Sequence, residues 1–172
     1  MHSYAFKGLK SRNDSKHMSL YLYLFNVLRS IIHIHYYKEG VMTPGSALQG
    51  KKVLIIEDDY SYRILLQSIL KKTGALCTIS INAEYARTKL AAEQFDVLVI
   101  DYLLPGHNAL EIIRWVREQN ILTPAVIVTA YPSDDLSEKC KQEKKVALIA
   151  KSSITRENFP DLLTDVLDGM TT

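Results

Sequence analysis

The chain has 172 residues, 47% of them hydrophobic and 23% charged, with 7 Gly and 5 Pro, which excludes collagen-like and wholly disordered classes and leaves room for one domain of about 120 to 150 residues plus an appendage. The net charge of +2 is unevenly spread, with six basic and two acidic side chains in residues 1–49 against 15 and 17 in residues 50–172. The larger part therefore has no electrostatic case for direct nucleic-acid binding. Cys77 and Cys140 stand alone, without metal-ligand or C-x-x-C spacing, which predicts reduced thiols in a cytoplasmic protein.

In chain order, residues 18–37 (MSLYLYLFNVLRSIIHIHYY) are apolar at 14 of 20 positions. Arg29 in the middle of that run costs about 2.5 to 3.5 kcal/mol on the insertion scale, and no small-residue cleavage site follows. Membrane contact through residues 18–37 is therefore disfavoured beside two other readings. The run is either a partner-binding or packing helix, or a stretch outside the functional protein, with translation starting at Met42. Thr43-Pro44-Gly45-Ser46 is a breaker cluster. Residues 1–49 are thus expected to form an extension, partly apolar helix or disordered, and residues 50–172 the globular domain.

Beyond the breaker, five short apolar runs read as buried strands: Val53 to Ile56, Ala75 to Ile81, Phe95 to Ile100, Ala125 to Thr129 and Val146 to Ala150. Helical stripes lie between them. Tyr62, Leu65, Leu66 and Ile69 keep the i, i+3, i+4, i+7 rule, as do Ala109, Ile112, Ile113 and Val116, and Phe159, Leu162, Leu163 and Val166. Ala83, Ala86 and Leu90 make a thinner stripe, and Leu136 with Cys140 a thinner one still. Strands alternating with helices predict an α/β fold, a doubly wound five-stranded parallel sheet covered on both faces.

Ligands of such a sheet bind beyond the carboxyl ends of its strands. Those ends carry Glu57-Asp58-Asp59, Asp101, Thr129 and Lys151. Singly, each also reads as a turn residue, a cap or a solvated cation; together they describe a chemistry. Clustered carboxylates persist at neutral pH only with a cation or a raised pKa, and Mg²⁺ suits hard oxygens while keeping positions open for water and phosphate. A carboxylate can attack phosphorus to give an aspartyl phosphate, with a metal, a Lys and a hydroxyl stabilising the charge on the equatorial oxygens. Asp101, alone at the end of the central run, is the expected nucleophile.

KKVLIIEDD (51–59), DVLVIDYLLPGHNALEII (96–113), VIVTA (126–130) and ALIAKS (147–152) resemble the receiver domain of bacterial two-component response regulators, the chemotaxis-regulator fold. The intervals of 43, 28 and 22 residues between Asp58, Asp101, Thr129 and Lys151 agree, and the resemblance covers residues 51–168. It implies the flavodoxin-like strand order 2-1-3-4-5, with Asp101 as phosphoacceptor and Thr129 and Lys151 as switch residues. Glu57, Asp58, Asp101 and the backbone carbonyl of Leu103 would be the Mg²⁺ ligands, and Pro105 the loop proline. Asp59 reads instead as a helix-start residue. Ala109, Leu148 and Ser152 depart from the family's usual Gly, aromatic residue and Pro.

The resemblance implies a signalling switch rather than an enzyme, phosphorylated by a sensor histidine kinase or a phosphotransfer protein. Only four residues follow Asp168, so output is expected to pass to a downstream protein target. Two rivals remain, a phosphorylation-independent pseudo-receiver acting as an interaction module and an aspartate-nucleophile phosphatase or phosphotransferase. The latter class resembles a pattern with a second Asp where this chain has Leu103. Leu103 and Tyr131, each two positions after a site residue, are placed to obstruct the water that attacks in line.

Overall fold

Side chains of a strand alternate between two faces, and a run apolar on both faces is stable only when covered on both. The computed structural model, which describes residues 47–170, realises this in five strands: β1 (Lys52–Ile56), β2 (Leu76–Ser80), β3 (Val97–Asp101), β4 (Ala125–Thr129) and β5 (Val146–Ala150). All pair in parallel, in the order β2-β1-β3-β4-β5, as the resemblance implies. The expectations for residues 18–37 and Met42 lie outside the described residues.

Five helices alternate with the strands: α1 (Tyr60–Lys72), α2 (Ala83–Ala92), α3 (Ala109–Glu118), α4 (Asp134–Gln142) and α5 (Phe159–Met170). Val53, Ile55, Val97 and Val99 pack with Leu66, Ile69 and Leu70 of α1 and with Phe159 and Leu163 of α5. Their neighbours Leu54, Ile56, Leu98 and Ile100 pack on the other face with α2, α3 and α4, through Ala86, Leu90, Ile112, Ile113, Val116 and Leu136. Every residue of β3 and β4 is buried, so the two central strands fix the height of everything attached to their ends.

The third strand starts later than the apolar run because Asp96 is engaged before it. Its backbone N–H donates to the Lys52 carbonyl at 2.8 Å, and its carboxylate accepts from the Lys52 N–H at 2.8 Å and from Lys51 Nζ at 3.1 Å. Asp59 caps α1, its carboxylate accepting from the Tyr62 N–H at 2.6 Å. Asn108 and Glu111 form a capping box on α3. Between β3 and α3, Leu103–Leu104 pairs antiparallel with His107–Asn108; the tight turn is supplied by Pro105 and by Gly106 at φ 76°. Trp115 is half-buried packing, with the Arg87 guanidinium 5.4 Å over its ring.

The core reaches back ahead of residue 50. Leu48 is fully buried with the α1 and α5 side of the sheet, and the next turn is tied down where the Gly50 N–H donates to the Gly74 carbonyl at 2.9 Å. Truncating a buried leucine removes transfer free energy and leaves a cavity, so Leu48→Ala is expected to lower the unfolding free energy by about 2 to 5 kcal/mol. Urea unfolding reads this as a lower midpoint at unchanged slope.

Candidate functional site

The register of the sheet sets the site. Ile56 pairs with Ile100, so Glu57 and Asp101 leave adjacent strands at the same level. Asp101 pairs with Val128 and Thr129 with Ala150, which puts Thr129 and Lys151 at the same edge. Apolar packing ends where these four begin, and the polar side chains cluster at the rim.

Glu57, Thr129 and Asp101 are buried, Asp101 at 9% exposure. Lys151 Nζ donates to Glu57 Oε2 at 2.8 Å and lies 3.0 Å from Asp101 Oδ2. One carboxylate oxygen from each of Glu57, Asp58 and Asp101 lies within 4.8 Å of the other two. Thr129 Oγ1 accepts from the Tyr131 N–H at 3.1 Å, an arrangement that keeps the hydroxyl proton available as a donor. Leu103 lies two positions beyond the end of β3, its side chain exposed like that of Tyr131. The structure thus gathers Glu57, Asp58, Asp101 and Lys151 into direct proximity, and sets Thr129 and Leu103 on the flanking strand end and loop.

Burial pushes the Glu57 carboxyl up to about 7; the Lys151 hydrogen bond opposes this and the Asp101 charge adds to it. Burial also works against the Lys151 ammonium, but its hydrogen bonds to Glu57 and Asp101 outweigh that and hold its pKa above the ordinary lysine value. One ammonium against three carboxylates leaves the cluster negative, and its donors are hard oxygens open at one side through the exposed Asp58. That donor set fits a hard divalent cation such as Mg²⁺.

Two participants escaped the sequence reading. Arg63 Nη1 donates to the carbonyls of Glu57 and Asp58 at 2.9 and 3.1 Å, fixing the backbone of the acidic pair. Tyr62, counted by periodicity as a stripe residue, also presents its ring to Lys151, 4.3 Å from Nζ to the centroid. Their only sequence signal is adjacency, since both fall in the first turn after the acidic run.

Residues 53–163 match the response regulator receiver domain. The chain belongs to the response regulator receiver domain family. Over 78 residues it is 36% identical to protein PetR of Rhodobacter capsulatus, covering 45% of this chain and 32% of that protein. Over 81 residues it is 31% identical to the alkaline phosphatase synthesis transcriptional regulatory protein PhoP of Bacillus subtilis, covering 47% and 34%. The receiver chain thus spans about a third of the length of these curated relatives. The chemotaxis response regulator CheY4 of Vibrio cholerae superposes with a TM-score of 0.63 at 23% identity, over 69% of this chain and 99% of that one, a likeness of fold. Receiver domains are signalling switches that bind Mg²⁺ at an acidic pocket, and this chain carries an acidic cluster of Glu57, Asp58 and Asp101. Among the described residues no helix is long and apolar enough to cross a membrane.

The raised Glu57 pKa has a sign. Folding takes up a proton there between the ordinary value of 4.5 and about 7, so this stabilisation of the metal-free receiver is present at the acid end of that window and lost as pH rises through it. Urea unfolding at pH 5, 6 and 7 without metal is expected to show stability falling with pH, and Glu57→Gln is expected to flatten that part of the slope. An equally steep slope in the variant would assign the effect elsewhere.

Proposed function

We propose that this receiver accepts a phosphoryl group on Asp101 from a histidine kinase or a phosphotransfer protein. In this reading it depends on Mg²⁺, works in the cytoplasm as a single-domain response regulator, and passes its signal to a downstream protein by contact rather than by binding nucleic acid. Residues 50–172 carry the switch, and residues 1–49 are an extension to it apart from Leu48, which packs into its core. The observation that supports this reading most is the placement of Lys151 between Glu57 and Asp101 at the open edge of the sheet.

In the transfer, a carboxylate oxygen of Asp101 attacks phosphorus, an oxygen–phosphorus bond forms as the bond to the donor's imidazole nitrogen breaks, and the leaving imidazole takes up a proton. A divalent ion held by Glu57, Asp58, Asp101 and the Leu103 carbonyl supplies charge neutralisation for the phosphoryl oxygens when bound. Lys151 exchanges its ion pair with Asp101 for one with the incoming phosphoryl group, and Thr129 turns its hydroxyl proton to another of the oxygens. Leu148 is half-buried against the side of the sheet covered by α2, α3 and α4, so β5 has no aromatic ring at that position to report the event. The change is carried to the face of α4, β5 and α5 by Thr129 and the backbone that follows it.

Incubation with a small phosphodonor and Mg²⁺, read by intact mass, is expected to add one phosphoryl group to the wild type and none to Asp101→Asn. Absence of the adduct from wild type would leave an interaction module that works without phosphorylation. The exposed side chains of Leu103 and Tyr131 flank the path of the attacking water. Leu103→Asn and Tyr131→Ala are each expected to raise the hydrolysis rate of the phosphorylated form several-fold, followed by loss of the adduct after donor removal. Unchanged rates in both variants would dismiss the shielding role.

A further inference from the structure

We propose that Tyr62 is a positioning residue for Lys151, its ring face holding the ammonium in place while the charges around that ammonium change. The Lys151 Nζ lies 4.3 Å from the Tyr62 ring centroid, inside the range of about 6 Å over which a cation is drawn to an aromatic face. The same nitrogen is 2.8 Å from Glu57 Oε2 and 3.0 Å from Asp101 Oδ2. The ammonium therefore has three partners of two kinds: two carboxylates and a ring.

The ring is placed by its backbone and by its packing. Asp59 caps the Tyr62 N–H at 2.6 Å, and the side chain packs half-buried against the α1 and α5 layer. The hydroxyl plays no part in this, because Tyr62 Oη is buried without a hydrogen-bond partner among the described residues. The useful part of the side chain is its π face, and a phenylalanine would present the same one.

The partners differ in what the proposed transfer does to them, and to that extent the consequence rests on the phosphoryl reading above. Glu57 is drawn toward a divalent cation, and Asp101 gives up its carboxylate charge when it becomes an acyl phosphate. The ring makes and breaks no bond and has no charge to be neutralised. It is the partner of Lys151 that persists from one state to the next, so the ammonium crosses from carboxylate to phosphoryl oxygen along a fixed surface. Without it, Lys151 has its long stem to order again at each transfer, a loss of freedom that opposes reaction.

The test uses the full chain with Tyr62→Leu, which keeps apolar bulk without a ring, and Tyr62→Phe, which keeps the ring. In proton–carbon NMR spectra of the metal-free protein, the Lys151 methylene beside Nζ is expected to be shifted upfield by the ring in wild type and Tyr62→Phe, and to return to the ordinary lysine position in Tyr62→Leu. With acetyl phosphate and Mg²⁺, Tyr62→Leu is expected to be phosphorylated about 2- to 30-fold more slowly and Tyr62→Phe at the wild-type rate. A wild-type rate in Tyr62→Leu, or equal slowing in both variants, overturns the proposal, as does a lysine signal indifferent to the ring. A wild type that takes no phosphoryl group, yet shows the ring-shifted lysine, sinks the phosphoryl reading while supporting the contact.

Discussion

One ammonium set between two carboxylates governs the functional edge of this receiver. Lys151 and Glu57 are separated by 94 residues in sequence, yet their charged atoms lie 2.8 Å apart, with Asp101 at 3.0 Å from the same nitrogen. Buried carboxylates that close to a third are costly unless opposed by positive charge. Removing the ammonium would leave Glu57, fully enclosed, to protonate or to pull the strand ends apart. The strand order makes the pairing possible, because β1 and β3 are neighbours and β5 ends beyond β4 on the same edge.

The same edge explains why the chemistry sits where it does. Each central strand is apolar on both faces until its last residue, because helices cover it to that point and no farther. At the carboxyl end the cover stops, and a polar residue can occupy the next position while still flanked by packed chain. Glu57 continues the ladder by one step, its N–H donating to the Ser80 carbonyl at 3.1 Å. Arg63 then holds the carbonyls of Glu57 and Asp58. The site residues are therefore carried at the ends of strands of the buried sheet, which suits the positioning that the proposed transfer chemistry requires.

Much of this was legible in the residues. Five apolar runs and their stripes give the strands and helices because periodicity is a local property, and Ala109, Ile112, Ile113 and Val116 are all buried, with Leu110 beside them. The acids, hydroxyl and ammonium were visible as polar punctuation at strand ends, and their spacing matched the family. What escaped was set by contacts that periodicity does not encode. Tyr62 fits an apolar stripe, and nothing in its spacing says that its ring lies beside a lysine 89 positions later. Leu48 stands among breakers, and only the fold shows that it closes the core. His107 looks like a loop residue, yet its ring nitrogens lie 2.9 Å from Glu84 and 3.2 Å from Glu111, linking the starts of α2 and α3.

The incomplete neutralisation of the acid trio is itself what a reversible switch demands. A second lysine at the site would halve the net negative charge and weaken the attraction for a divalent cation, while no lysine would leave the buried pair without an opposing charge. A single ammonium keeps the cluster tolerable and still negative, so a hard cation gains by entering and brings the site close to neutrality. In the proposed function a phosphoryl group would then arrive with nearly two negative charges in a pocket that would just have gained two positive ones. The ammonium, freed from Asp101, would be placed to receive it. Each change of charge leaves the site short of one partner, and the next partner in the sequence is the one that supplies it.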